Sequence, residues 1–276
     1  MIKKILLVFV IILVCGFQTN TLDISPRKDY RNVGSAKKLL GKTYVLILFV
    51  SYKTFPNWQQ NEINEIYNNI YQAFDWLKNQ AAQYGYNNDF ELYVLGDKQP
   101  IKMDYMVKGP FQGEYSTKII ENAMQAAGYS KDYDFYEFAK QQTGCDNCII
   151  YVCSNSAGRS YAINETLEIY QYNKRYGYNP TMLEGCMLFQ YFDSNGEKIY
   201  SSTIAHETLH VFGAVDLYDV YGNNSFKQKC DTYFPNSIMH KVERDYSNTE
   251  LDKITAYLTG LSNEYHSWYD EFINAN

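Results

Sequence analysis

The chain has 276 residues, with 25 lysines and arginines against 31 aspartates and glutamates, for a net charge of −6. That acidic balance argues against nucleic acid and anionic membrane surfaces as partners. Hydrophobic residues make up 46% and aromatic residues 17%, which excludes a disordered chain and allows a full core in one large domain or two subdomains.

In chain order, Lys3 and Lys4 precede an apolar run from Ile5 to Cys15. The run is shorter than the roughly 20 residues of a membrane span and fits the core of an export signal over residues 1–22. Lipid attachment at Cys15 and an uncleaved membrane anchor are the alternatives, although Val14 is bulky for lipoprotein processing. The expected location is secreted or cell-surface. Loss of residues 1–22 removes two lysines and no acids, leaving 23 basic residues against 31 acidic and a net of −8. Residues 23–41 read as a polar linker and 42–276 as the folded domain.

Residues 43–52 are rich in β-formers and predict a buried central strand. Pro56 and Asn57 open a long helix to about Tyr84, with Ile63, Ile66, Ile70, Phe74 and Leu77 at helical spacing. Strands are expected near 90–95 and 101–107, and helices near 116–127 and 132–142. Cys148–Cys153 reads as a second buried strand, Gly158–Ile163 as a short one and Gly185–Phe192 as another. A helix with Tyr200, Ile204, Leu209 and Val211 as its apolar positions follows, with Ser201 or Ser202 as its cap. Beyond it comes a loop-rich stretch, then a helix from about Asn248 to Leu258 that stops at Gly260. Strands alternating with helices predict an α/β (α+β) fold. No internal repeat, phosphate-binding glycine loop or GxSxG elbow is present. Five cysteines lie beyond residue 22, an odd count that leaves at least one unpaired within the monomer. Cys145-Asp146-Asn147-Cys148 forms a CxxC whose functional readings are a redox pair or half a zinc site. With no second CxxC, a local disulfide or free buried thiols is the preferred reading.

The chemistry concentrates in His206-Glu207-Thr208-Leu209-His210, an HExxH that continues into Val211-Phe212-Gly213-Ala214-Val215-Asp216. Histidines at i and i+4 lie on one face of a helix and can grip one Zn²⁺. Glu207 beside them is placed to act as a base. Two of the chain's four histidines fall in this motif. Gly213 is a helix stop, and a reversal there can return Asp216 to the metal as third ligand. The blander reading of Asp216 is a loop carboxylate that bonds locally. Asp219 is its nearest competitor, with His240 and Glu243 further off.

HExxHxxGxxD resembles the metzincin clan of zinc endopeptidases in the variant where aspartate replaces the third histidine, as in snapalysin-like peptidases. Gly213-Ala214-Val215-Asp216-Leu217-Tyr218-Asp219 is also similar to a stretch of immune-inhibitor-A-type secreted peptidases. Metzincins carry a methionine in a tight turn beneath the metal, and Ser237-Ile238-Met239-His240 follows here, making Met239 the expected turn methionine. Several metzincins place a tyrosine two residues later. Lys241 stands there instead, with Tyr218 or Tyr246 as substitutes. The resemblance by motif covers residues 205–240. It implies an upper subdomain over 42–213, with a twisted sheet backed by helices. A small irregular lower subdomain over 214–276 closes the zinc cleft from below.

The implied function is an exported zinc endopeptidase with one catalytic zinc on His206, His210 and Asp216, and Glu207 as general base. Its partner is a protein or peptide substrate, lying extended along an edge strand for which Gly158–Ile163 is the candidate. A non-peptidase zinc amidase and a zinc-binding protein without turnover are the rival readings.

Overall fold

The computed structural model describes residues 34–52, 57–103, 114–130, 132–163, 183–192, 196–218 and 224–273. The expected export signal, Pro56, residues 104–107 of one expected strand, and Asp219 lie outside them.

A six-stranded mixed sheet forms the centre. Its strands are β1 (Lys42–Ser51), β2 (Asp89–Leu95), β3 (Ile101–Lys102), β4 (Asn147–Ala157), β5 (Tyr161–Ile163) and β6 (Glu184–Tyr191). They run in the order β2-β1-β4-β6-β5, and β3 also pairs with β1. All pairings are parallel except β5 with β6, which is antiparallel and puts β5 at the edge.

Strands β1 and β4 are continuous apolar runs because both of their faces are covered. Side chains alternate between two cores. Val45, Ile47, Phe49, Ile149, Tyr151 and Leu188 face one; Leu46, Leu48, Ile150, Val152 and Met187 face the other. On the first face lies α1 (Gln60–Gln83), whose apolar stripe packs as its spacing predicts. It starts three residues later than expected, because the Glu62 carboxylate reaches back to accept from the Gln59 N–H at 2.8 Å. Helices α2 (Glu114–Ala126) and α3 (Asp132–Thr143) cover the second face through Ile120, Met124, Phe135 and Ala139. At Gly185 an added Cβ would sit 1.8 Å from the Ile150 carbonyl oxygen, so only glycine lets β6 lie against β4 there.

The first core also receives α4 (Ser201–Val211), α5 (Asn224–Tyr233), α6 (Lys253–Leu258) and α7 (Tyr269–Ile273). Helix α5 falls where a loop-rich stretch is expected. Only Phe226 and Cys230 of it are buried, too sparse a pattern to read against its polar residues. Helix α6 begins at Lys253 rather than Asn248, since Asp252 caps it by accepting from the Thr255 N–H at 2.9 Å.

Residues 34–41, expected as part of a linker, are instead fastened to the sheet. Ser35, Ala36 and Leu39 are buried. The Ala36 N–H donates to the Glu184 carboxylate at 2.8 Å, and the Lys37 N–H to Asn147 Oδ1 at 2.9 Å. The five described cysteines are all free and buried, which resolves Cys145 and Cys148 as thiols. Burial pushes the thiols of Cys148, Cys153 and Cys186 well above their ordinary pKa. No helix among the described residues is long and apolar enough to cross a membrane.

Candidate metal centre

Helix α4 is buried at every position except His210, as befits a short helix rich in small side chains and enclosed by its neighbours. Tyr200 occupies the N-cap without a side-chain bond, so neither expected serine caps the helix. Ser202 instead donates to the Glu243 carbonyl oxygen. The Tyr151 hydroxyl meets Thr208 Oγ1 at 2.5 Å and pins the helix to the sheet.

The helix ends in a reversal at Gly213, whose φ of 95° suits glycine. The Gly213 N–H donates to the His210 carbonyl and the Ala214 N–H to the Leu209 carbonyl, at 2.9 and 3.0 Å. These are the paired bonds of a Schellman stop. The reversal carries Asp216 back over the last turn. The Leu217 N–H then donates to the Met239 carbonyl at 2.8 Å, tying the returning chain to the turn over 237–240.

His206, His210 and Asp216 come together there. His206 Nε2 lies 3.1 Å from His210 Nε2, while Asp216 Oδ1 lies 3.3 and 3.0 Å from those two atoms. Ligands about 2.0–2.1 Å from a tetrahedral zinc stand about 3.3 Å apart, so the triangle matches the donor set. Both imidazoles are oriented from behind. Nδ1 of His206 bonds the Ile238 carbonyl oxygen and Nδ1 of His210 the Ala214 carbonyl oxygen, each at 2.9 Å. With Nδ1–H donating to these carbonyls, a neutral imidazole at either position aims its Nε2 lone pair at the convergence point. Two imidazole nitrogens and a carboxylate oxygen facing one another can share one cation. The three residues can hold a metal ion, and among the described residues they form the one such group of histidine, cysteine and carboxylate side chains.

The same groups are strongly coupled electrostatically. Burial alone would depress His210, but the Asp216 hydrogen bond and charge outweigh it, and His210 is pushed up to about 9. Asp216 is held well below the usual carboxylate range by the two histidines despite its burial. Glu207 moves the other way: burial raises its pKa, with the neighbouring histidines and Arg159 opposing.

A pocket of about 270 Å³ opens beside the triangle, lined by Arg159, Phe192, Tyr200, His206, Glu207 and Tyr218 among others. Tyr218 stacks on His206 with ring centroids 6.3 Å apart. Its hydroxyl accepts from Arg159 Nη2 at 2.6 Å. Tyr246, the other tyrosine considered, stacks on Trp76 at 5.2 Å and packs into the first core, away from the triangle. Met239 is fully buried in the turn, where the His240 N–H donates to the Ser237 carbonyl at 3.0 Å. Ser237 Oγ accepts from the Met239 N–H at 3.0 Å and donates to Asp252 at 2.6 Å, anchoring the turn to α6. His240 is spent elsewhere, with Nδ1 on the Leu217 carbonyl oxygen at 2.6 Å and Nε2 on Asp231 at 2.9 Å. Neither His240 nor Glu243 joins the triangle. Arg159 and Phe192 carry no sequence signal as site residues; their place follows from strands meeting in space. A scan of protein-family models and a search of curated proteins each return no match for this chain.

Proposed function

We propose that the protein is an exported zinc-dependent endopeptidase of metzincin type. The observation that carries this reading is the triangle of His206 Nε2, His210 Nε2 and Asp216 Oδ1 at 3.0–3.3 Å, with both Nδ1 atoms bonded to backbone carbonyls. Zinc suits two imidazoles and one carboxylate, and three protein ligands leave a position open for chemistry. When bound, zinc supplies Lewis acidity at that point.

The protein's own groups do the rest. Glu207, adjacent to His206 and lining the pocket, takes a proton from the attacking water onto a carboxylate oxygen. It then delivers that proton to the nitrogen of the leaving amine. Asp216 partly neutralises the metal. The substrate lies extended along β5, the antiparallel edge strand of the described sheet, as one more strand. The sheet with its backing helices belongs to the upper subdomain, and the methionine turn at Met239 with α5 to α7 to the lower. Residues 1–22 direct export.

The test is metal content together with turnover. Protein purified without chelators carries about one zinc per chain and cleaves an unstructured protein substrate. His210→Ala loses both. A metal-free wild type would end the proposal. Zinc-loaded protein that hydrolyses small amides but no peptide would replace it with an amidase.

A further inference from the structure

The pocket beside the triangle has one feature that peptide hydrolysis as such does not require. Arg159 stands at its rim, two residues before the edge strand β5 begins. Arg159 is exposed, and its one hydrogen-bond partner among the described residues is the Tyr218 hydroxyl. A guanidinium carries further N–H donors in a planar fork shaped for a carboxylate. Arg244 provides the internal contrast: its guanidinium meets the Glu197 carboxylate at 2.6 Å. The cavity of about 410 Å³ beside Arg244 is likewise neutralised from within, because Lys198 meets Glu65 across it. Among the described residues no ion pair joins Arg159 to a carboxylate, and its charge acts across the pocket on Glu207. The same pocket carries an apolar and aromatic wall of Phe192, Tyr200 and Val242 beside its polar residues. Such a wall strengthens the pull of a charge placed beside it.

We propose that Arg159 selects a carboxylate on the substrate beside the bond to be cut. The carboxylate comes either from an aspartate or glutamate side chain or from the chain's own C-terminus. The inference rests on the peptidase reading and names the substrate class for that site. The substrate carboxylate accepts hydrogen bonds from the guanidinium N–H groups that Tyr218 leaves unused, while the aliphatic or backbone part of the same residue lies against the apolar wall. Arg159 then acts as a specificity determinant in contact with substrate and takes no part in proton transfer.

The experiment uses the full chain and quenched peptides that differ only in the residue beside the scissile bond, glutamate, glutamine or lysine. Each is made as free acid and as C-terminal amide. Wild type is expected to prefer glutamate over glutamine by about 10–100-fold in kcat/KM, the scale of a charge-assisted hydrogen bond. A free-acid preference of similar size, without a side-chain preference, assigns the carboxylate to the chain end. Arg159→Gln erases whichever ratio is found, and Arg159→Glu reverses it toward lysine. Equal kcat/KM for all peptides overturns the proposal and leaves the peptidase standing. A uniform loss across all peptides in Arg159→Gln also overturns it, by assigning Arg159 to holding Tyr218. Fluorescence anisotropy of the same peptides on Glu207→Gln separates recognition from chemistry. The same order of Kd is expected, and equal Kd values count against the proposal even if no peptide is cut.

Discussion

Two histidine–aspartate contacts lie on either side of the turn at Met239, and they differ in what they leave open. His210 meets Asp216 at 3.0 Å, and His240 meets Asp231 at 2.9 Å. In both, Nδ1 bonds a backbone carbonyl oxygen. The second pair is closed, since Asp231 accepts from Lys227 as well and the contact stitches α5 to the turn. In the first, one carboxylate oxygen faces two imidazole nitrogens, at 3.3 and 3.0 Å. Residue type and distance are therefore not enough to mark a metal site. The count of lone pairs converging on one point separates the two.

The sharpest way to break this comparison is to remove the chemistry and keep the triangle. Glu207→Gln is expected to retain zinc while turnover falls by about 10²–10⁴-fold, the usual reach of general acid–base catalysis. Retained peptidase activity in that variant would remove Glu207 from the mechanism. Next, Asp216→Ala should weaken zinc binding by more than the roughly 10–100-fold typical of an outer-shell change, read by competition with a chelator. Asp219→Ala should change it far less. The closed pair gives the converse. His240→Ala should keep one zinc per chain and lose about 1 kcal/mol of stability in denaturant, because the buried bond to the Leu217 carbonyl is broken. Zinc lost from His240→Ala but kept in Asp216→Ala would reverse the assignment of the two sites. Ser237→Ala removes a buried hydroxyl between Met239 and Asp252, and about 1 kcal/mol is expected.

The smallest effect concerns pH. Asp231 sits below its ordinary pKa because Lys227, and then His240, donate hydrogen bonds to it. A carboxylate depressed on folding contributes stability above its unfolded pKa and loses it as pH falls through the folded value. The Tm difference between wild type and Asp231→Asn is thus expected at neutral pH and should fade below roughly pH 4. Because the group is exposed, the difference is small at every pH.

How much of this was legible depends on range. The stripe of α1 and the apolar runs of β1, β4 and β6 are local patterns, and the elements form where those patterns lie. His206, Glu207 and His210 share one helix, so their juxtaposition is fixed by helical pitch. Asp216 is one glycine reversal away. By contrast, residues 34–41 read as linker because their anchors, Asn147 and Glu184, lie more than a hundred residues on. Arg159 and Tyr218 are 59 residues apart and meet only after β5 folds back along β6. Helix α5 escaped because just two of its side chains are buried.

The sealed thiols give the molecule a built-in reporter of opening. Cys148, Cys153 and Cys186 lie inside the central strands, and Cys230 lies inside α5, with burial pushing its thiol up to about 12. A thiol in that state meets an alkylating reagent only when its segment opens, so each labelling rate measures a local opening equilibrium. Labelling at Cys230 that outpaces the three strand cysteines would mark α5 as a unit that detaches before the sheet does. The same experiment in a reducing buffer should leave the fold intact, because no bond between cysteines holds the described residues together.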